Sequence, residues 1–271
     1  MKKYFSILRI NWINALEYRG NALIGLFAIL SGLFIEYQIW SLIFGSNNYS
    51  TISMQGVEDG YTFNSLIVFI FLSIIVGQLK SSWVTSTQMI LEIRQGLINK
   101  YLIRPVSYFW YHFMMFVGVN SLYFLVYLSL LMFFVTIFPG LLFQTWQSIV
   151  GFGISLILSI YLSYCIYFVM VCFAFWFGEV RSIVVAYNIG MLMVSGQYIP
   201  IRLFPSEVLS VIKWTPIPYL VDLPVSIATG IVDKTQWGVE IGIASLWCLV
   251  LTFISFMIYQ IGIKGYEAYG Q

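Results

Sequence analysis

Few residues in this 271-residue chain are of types that do chemistry, and their spacing informs mainly by what it excludes. His112 is the single histidine, so neither a HExxH zinc site nor a bis-histidine haem site can be built. Cys165, Cys172 and Cys248 all sit in long apolar runs and read as plain core or lipid-facing thiols, not as a disulfide framework. There is no GxxxxGK[ST] loop, no Gly-Lys dipeptide at all, and no GxSxG elbow. The expectation is a chain with no catalytic residue, no metal ligand and no cofactor of its own. One carboxylate stands out. Glu36 is the only acidic residue well inside an apolar run, roughly 21 Å from Ala22 at 1.5 Å per residue. Burying such a group is costly, so it is a functional candidate. It could touch substrate, pair with a partner subunit or reach the headgroups.

The elements that carry these residues belong to a membrane protein. Hydrophobic side chains make up 60% of the chain and charged ones 9%, against roughly a quarter charged in soluble domains. A net charge of +2 offers no basic field for nucleic acid. Six runs approach the roughly 20 apolar residues a helix needs to cross the bilayer: 22–44, 62–79, 113–137, 149–177, 183–199 and 240–263. They are continuous and too long for alternating barrel strands, so the class is all-α. With both termini cytoplasmic, Lys2, Lys3, Arg9, Arg19, Lys80, Arg94, Lys100, Arg104, Arg181 and Lys264 fall inside, and only Arg202, Lys213 and Lys234 outside. That is the positive-inside pattern. The first outer loop, 45–61, carries Glu58 and Asp59 and no basic residue. The N-terminus has two lysines but no cleavable apolar region, and reads as retained.

Before the first run, residues 1–20 put Tyr4, Phe5, Leu8, Trp12 and Leu16 on one helical face, as in a helix lying in the membrane interface. Small residues recur at helical spacing in two runs: Gly151, Ser155, Ser159 and Ser163, then Ser182, Ala186 and Gly190. Such rows let helices approach closely, either within the chain or at a subunit or pathway face. The inner segment 80–106 alternates charge with Ile90, Ile93, Leu97 and Tyr101, with a stop at Gly96 and an end at Pro105. It would present one apolar face and several charges to a soluble partner. Five of the seven prolines cluster between residues 200 and 224, breaking 196–236 into pieces too short to span. Those pieces read as outer-surface or re-entrant half-helices.

In this order of parts the chain resembles the membrane-spanning permease subunits of type-2 ATP-binding-cassette exporters. The likeness rests on the N-terminal helix, six spans, the Ile93-Arg94-Gln95-Gly96-Leu97 and Leu102-Ile103-Arg104-Pro105-Val106-Ser107 segments, and the block from Ser195-Gly196 through Pro200, Pro205, Pro216 and Pro218. The spacing is similar to a bacterial, multidrug-type branch. The resemblance implies an all-α membrane protein in one transmembrane domain, 1–271. It would have six transmembrane helices, an N-terminal interfacial helix and short external re-entrant helices before the last span. It implies a coupling helix at 92–104, seated in a groove of a separate ATPase, with Glu92, Arg94, Gly96, Lys100 and Arg104 as coupling residues. Glu179 and Arg181 fall in the second cytosolic contact. Glu36, Asn120 and Gln197 are the substrate-pathway candidates.

The expected function is therefore export of a hydrophobic or amphipathic substrate (a drug, peptide or lipid-linked molecule) across the bacterial plasma membrane. ATP and Mg would be bound by the partner ATPase, and a second permease, a sister chain or a second copy, would complete the pathway beside membrane lipid. Two other readings remain open at this point. A proton- or ion-coupled transporter or channel would show several intramembrane charges and internal repeats. A non-transporting anchor would recruit a cytosolic ATPase without moving anything.

Overall fold

A computed structural model describes residues 2–17, 19–47, 60–103, 106–137 and 140–266. Glu58 and Asp59 of the first loop, with Arg104 and Pro105, lie outside the described residues. The described chain is all-α. In order, it runs α1 (Lys2–Glu17), α2 (Arg19–Asn47), α3 (Phe63–Leu79), α4 (Trp83–Arg94), α5 (Asn99–Leu102) and α6 (Tyr108–Ile137). There follow α7 (Trp146–Cys172), α8 (Ala174–Phe177), α9 (Arg181–Val194), α10 (Ser206–Ile212), α11 (Asp222–Thr229) and α12 (Lys234–Lys264). Single 3-10 turns at Ile201–Leu203 and Ile217–Leu220 flank α10.

Caps set several of these boundaries. Thr62 accepts the Ser65 N–H at 3.3 Å at the head of α3, and Thr145 accepts the Ser148 N–H at 3.4 Å at the head of α7. Pro224 sits in the first turn of α11, where a missing N–H costs nothing, and a left-handed Gly230 closes that helix.

Five stretches are long and apolar enough to cross a membrane: Ile24–Gly45, Phe63–Arg94, Tyr108–Ile137, Trp146–Phe177 and Lys234–Lys264. Two boundaries differ from the sequence reading. The run expected to be a span at 183–199 forms α9, a helix of 14 residues, about 21 Å long and short of the roughly 30 Å hydrocarbon core. It stops because the chain turns at Gly196 (φ 84°) ahead of Pro200. The inner segment expected to begin as a loop at Lys80 instead stays inside the packed body. Lys80 is 6% exposed, and Ser82, Thr85 and Ser86 are buried, because α4 continues the line of α3 after a three-residue break.

The core forms around α3 and α7. Every residue of α3 from Val68 to Val76 is buried, which explains why its sequence shows no polar face. α7 uses its small row inward. Gly151 faces Ile227 and Trp237, the Ser159 hydroxyl donates to the Leu220 carbonyl, and the Ser163 hydroxyl donates to the Lys80 carbonyl at 2.9 Å. That row is thus spent on packing within the chain. The second row is not: Ser182, Ala186 and Gly190 are exposed on α9, beside exposed Ile183, Ile189 and Met193. α1 packs along α6, with the Ser107 N–H donating to the Tyr4 hydroxyl at 3.3 Å and Gly118 receiving Leu8 and Asn11. α2 and α12 show Phe27, Phe34, Leu42, Leu249 and Phe253 outward, as surfaces in contact with lipid do.

Candidate functional site: a charged end and a polar midsection

The bundle has two distinct ends. At one, the Phe143 N–H donates to the Ala228 carbonyl at 2.8 Å, tying the head of α7 to the tail of α11. At the other, the Tyr266 hydroxyl after α12 donates to the Ile93 carbonyl at the end of α4. Most of the predicted coupling residues gather at this second end.

Helix α4 ends in a Schellman motif. The Leu97 N–H reaches the Glu92 carbonyl at 2.9 Å and the Gly96 N–H the Ile93 carbonyl at 3.3 Å. The residue between them must be left-handed, and Gly96 is (φ 74°). The turn folds α5 back over α4, so that Lys100 and Tyr101 meet Glu92. Lys100 Nζ lies 3.0 Å from Glu92 Oε1, and the Tyr101 hydroxyl donates to the same oxygen at 3.1 Å. His112, in the second turn of α6, places Nε2 3.1 Å from Glu92 Oε2. Tyr108 and Tyr111 pack edge-on against that imidazole, and Tyr101 packs edge-on against both of them. Burial, with the Glu92 charge beside it, pushes the Tyr101 phenol well above its usual range.

Glu92 is thus 5% exposed, and its carboxylate faces the protein. A buried carboxylate needs partners; Lys100 and Tyr101 both serve Oε1, while Oε2 has only the nearby His112 imidazole, without a formed hydrogen bond. The sequence reading named Glu92 and Lys100 as polar contacts for another subunit; the structure turns Glu92 inward, where it fastens α5 and α6 to α4. It missed Tyr101 and His112 in this role. Their offsets from Glu92, 9 and 20 residues, match no helical period, so no sequence pattern announces them.

Arg94 and Glu179 come together although 85 residues separate them, forming an exposed ion pair. The other Glu179 oxygen accepts the Arg181 N–H at 3.1 Å. Trp176 and Phe177, the latter 71% exposed, share a groove with Arg94, and Leu97, Leu102 and Ile103, the last 85% exposed, stand out along the α4–α5 elbow. A groove of about 380 Å3 runs between Ile93, Phe175 and Tyr266 beneath it.

The pathway candidates sit elsewhere. Asn120 donates to the Phe116 carbonyl at 3.1 Å and lines a cavity of about 210 Å3 with Gln78, Trp83 and Tyr123. Gln197 lines a second cavity, of about 160 Å3, with Lys80, Tyr167 and Asn188. Both cavities touch Gln78 and Ser81, so Asn120 and Gln197 flank the α3–α4 break. Glu36 is apart from them on α2, where it accepts from Trp40 Nε1 at 3.1 Å.

Toward the Ala228 end, the proline-rich block encloses a cavity of about 560 Å3 lined by Arg202, Lys213, Tyr219, Asp222 and Glu240 among aliphatic groups. Burial pushes the Asp222 carboxyl up to about 6, against the opposing pull of the Arg202 charge and the Ile201 N–H. Among the described residues no three His, Cys, Asp or Glu side chains converge on a space that could hold a metal.

An all-helical chain with five apolar helices of spanning length is a multi-pass membrane protein. Residues 30–270 match the model of the ABC-2 family transporter protein family, all but the N-terminal stretch and Gln271, and the chain belongs to that family. It is therefore a permease component of an ATP-binding-cassette transporter, a membrane part that works with an ATPase subunit. No curated protein matches the chain.

Proposed function

We propose that this chain is the permease subunit of a bacterial exporter that moves a hydrophobic or amphipathic molecule. Its ATPase would dock at the end formed by α4, α5 and α8. The observation that carries the reading is the meeting of two segments remote in sequence, at Arg94 and Glu179, beside exposed Trp176 and Phe177, with Leu97 and Ile103 exposed on the adjoining elbow. A water-facing surface has no use for that much apolar area, and polar residues ringed by aromatics and aliphatics are what a soluble partner binds.

In this arrangement the end bearing Arg94 and Arg181 faces the cytoplasm, both termini lie there, and ten of the thirteen basic residues fall inside. α9 and the turn at Ile201–Leu203 together complete a sixth crossing, broken at Gly196, and the segments around α10 and α11 are re-entrant from outside. Broken backbone at membrane depth is tolerated where protein buries it, and Leu203, Leu220 and Val225 are buried. A second permease, a sister chain or a second copy, covers the small-residue row of α9.

ATP and Mg would be held in the partner. When its two nucleotide sites close, the groove holding the α4–α5 elbow moves, and the Glu92 cluster passes that motion to α6. The transition is a shift between two packed states of the bundle. Proline at Gly96 lacks both the left-handed conformation and the N–H of the Schellman turn. Gly96→Pro should therefore leave membrane insertion intact and abolish co-purification of the ATPase, together with permease-stimulated hydrolysis. Arg94→Glu should do the same. Normal co-purification and stimulation in both variants contradict the docking surface.

A further inference from the structure

Among the described residues the most unusual cation is Lys80. A lysine near the end of an apolar helix ordinarily extends along its stem to reach water or headgroups. Lys80 instead is 6% exposed, about 25 Å along from the head of α3, with its carbonyl held by Ser163 of α7. No carboxylate among the described residues lies within ion-pair distance of it. It borders the cavity of about 160 Å3 between α3, α7 and α9, whose other polar lining groups are Gln78, Ser81, Tyr167, Asn188 and Gln197. No acidic side chain lines this space. A buried ammonium lacking a counter-charge is expensive, and an apolar residue would pack the same position without that penalty. What the cavity lacks is an anion, and amides and hydroxyls are suited to complete its hydrogen bonding.

We infer that the Lys80 cavity is an anion-recognising subsite that takes the phosphate or carboxylate head of an amphiphile, whose chain stays outside the cavity in the bilayer. The volume has room for a head group and not for a chain. The subsite deepens the exporter reading by naming the charge of its substrate, and rests on it for that assignment; the binding itself requires no ATPase.

The test uses the full chain in phosphatidylcholine nanodiscs, without ATPase, so that failure of the docking surface leaves it readable. Dodecyl phosphate, dodecyltrimethylammonium and inorganic phosphate are titrated separately. The expected result is binding of dodecyl phosphate tighter than the cationic analogue by about tenfold or more, the scale of one charge-assisted contact. Inorganic phosphate should bind more weakly than dodecyl phosphate. Lys80→Gln should abolish the preference and Lys80→Arg should retain it. Gln197→Leu, which keeps the lysine, should weaken dodecyl phosphate binding, and serves if Lys80→Gln does not fold. Competition by phosphatidylglycerol identifies a bilayer lipid as the source of the anion, and its failure to compete a single-chain amphiphile; both outcomes uphold the site. Equal binding of the two dodecyl compounds overturns the proposal, as does an unchanged preference in Lys80→Gln. Loss of permease–permease association in Lys80→Gln with the preference intact also overturns it, because the counter-charge would then come from the second permease.

Discussion

Glu92 shows how a residue can shape a surface from beneath it, without being exposed on it. One of its oxygens holds Lys100 and Tyr101 and the other lies against His112, so one carboxylate ties the elbow to the start of α6. Glu92→Gln keeps the size but removes the charge that satisfies these donors; the expected loss is about 1–3 kcal/mol. Thermal unfolding in detergent should register it, and Lys100→Met, at a half-exposed ammonium, should cost less. Equal stability of wild type and Glu92→Gln would show the cluster to be idle. Asp222 offers a pH signature at the other end. Its folded-state carboxyl titrates near 6, above the usual 3.8, so the folded chain binds more protons than the unfolded one between these values. Stability should therefore fall as pH rises from about 4 to about 6 and level off above, as far as this group governs it. Asp222→Asn should flatten that slope and raise the unfolding temperature at neutral pH. A slope unchanged in the variant contradicts the assignment.

At the scale of elements, the N-terminal helix depends on one glycine. A Cβ on Gly118 would sit 2.7 Å from the Cβ of Asn11 and 2.9 Å from the Leu8 carbonyl oxygen, both well inside contact distance. Gly118→Val should thus lift α1 from α6, at about 1–3 kcal/mol typical of overpacking. A Tyr4→Cys, Ser107→Cys pair, spaced by the length of the lost tyrosine ring, should be bridged efficiently by a short bis-maleimide in the otherwise native chain and poorly with Gly118→Val added; equal yields would show that α1 is held by other contacts. Much of the element level was legible beforehand. Continuous apolar runs give α2, α3, α6, α7 and α12 directly, because a helix in lipid must be apolar over its whole length. The misreadings have a common origin. Lys80 was placed in a water-facing loop by its charge, and 183–199 was read as one span by its hydropathy. Hydropathy cannot see that Ser163 of α7 receives the Lys80 backbone, nor that Gly196 turns the chain after α9. Likewise the Arg94–Glu179 pair was foreseeable as two separate contacts on one face, but its closure depends on a tertiary approach.

At the scale of the whole molecule, the chain divides its work between ends. The Arg94 end gathers charge and exposed apolar side chains; the Asp222 end closes over a mixed-charge cavity; the polar midsection at Lys80, Asn120 and Gln197 lies between. Family membership makes the chain the membrane part of an ATP-driven machine, and the central claim is that the ATPase engages the Arg94 end. Photo-crosslinking in intact membranes tests it most directly, with a photoreactive residue placed at Ile103, Phe177 or, at the opposite end, Trp146, all three exposed. The account predicts adducts from positions 103 and 177 to a subunit bearing a P-loop, and none from 146. P-loop adducts from 146, with none from 103 and 177, would contradict it.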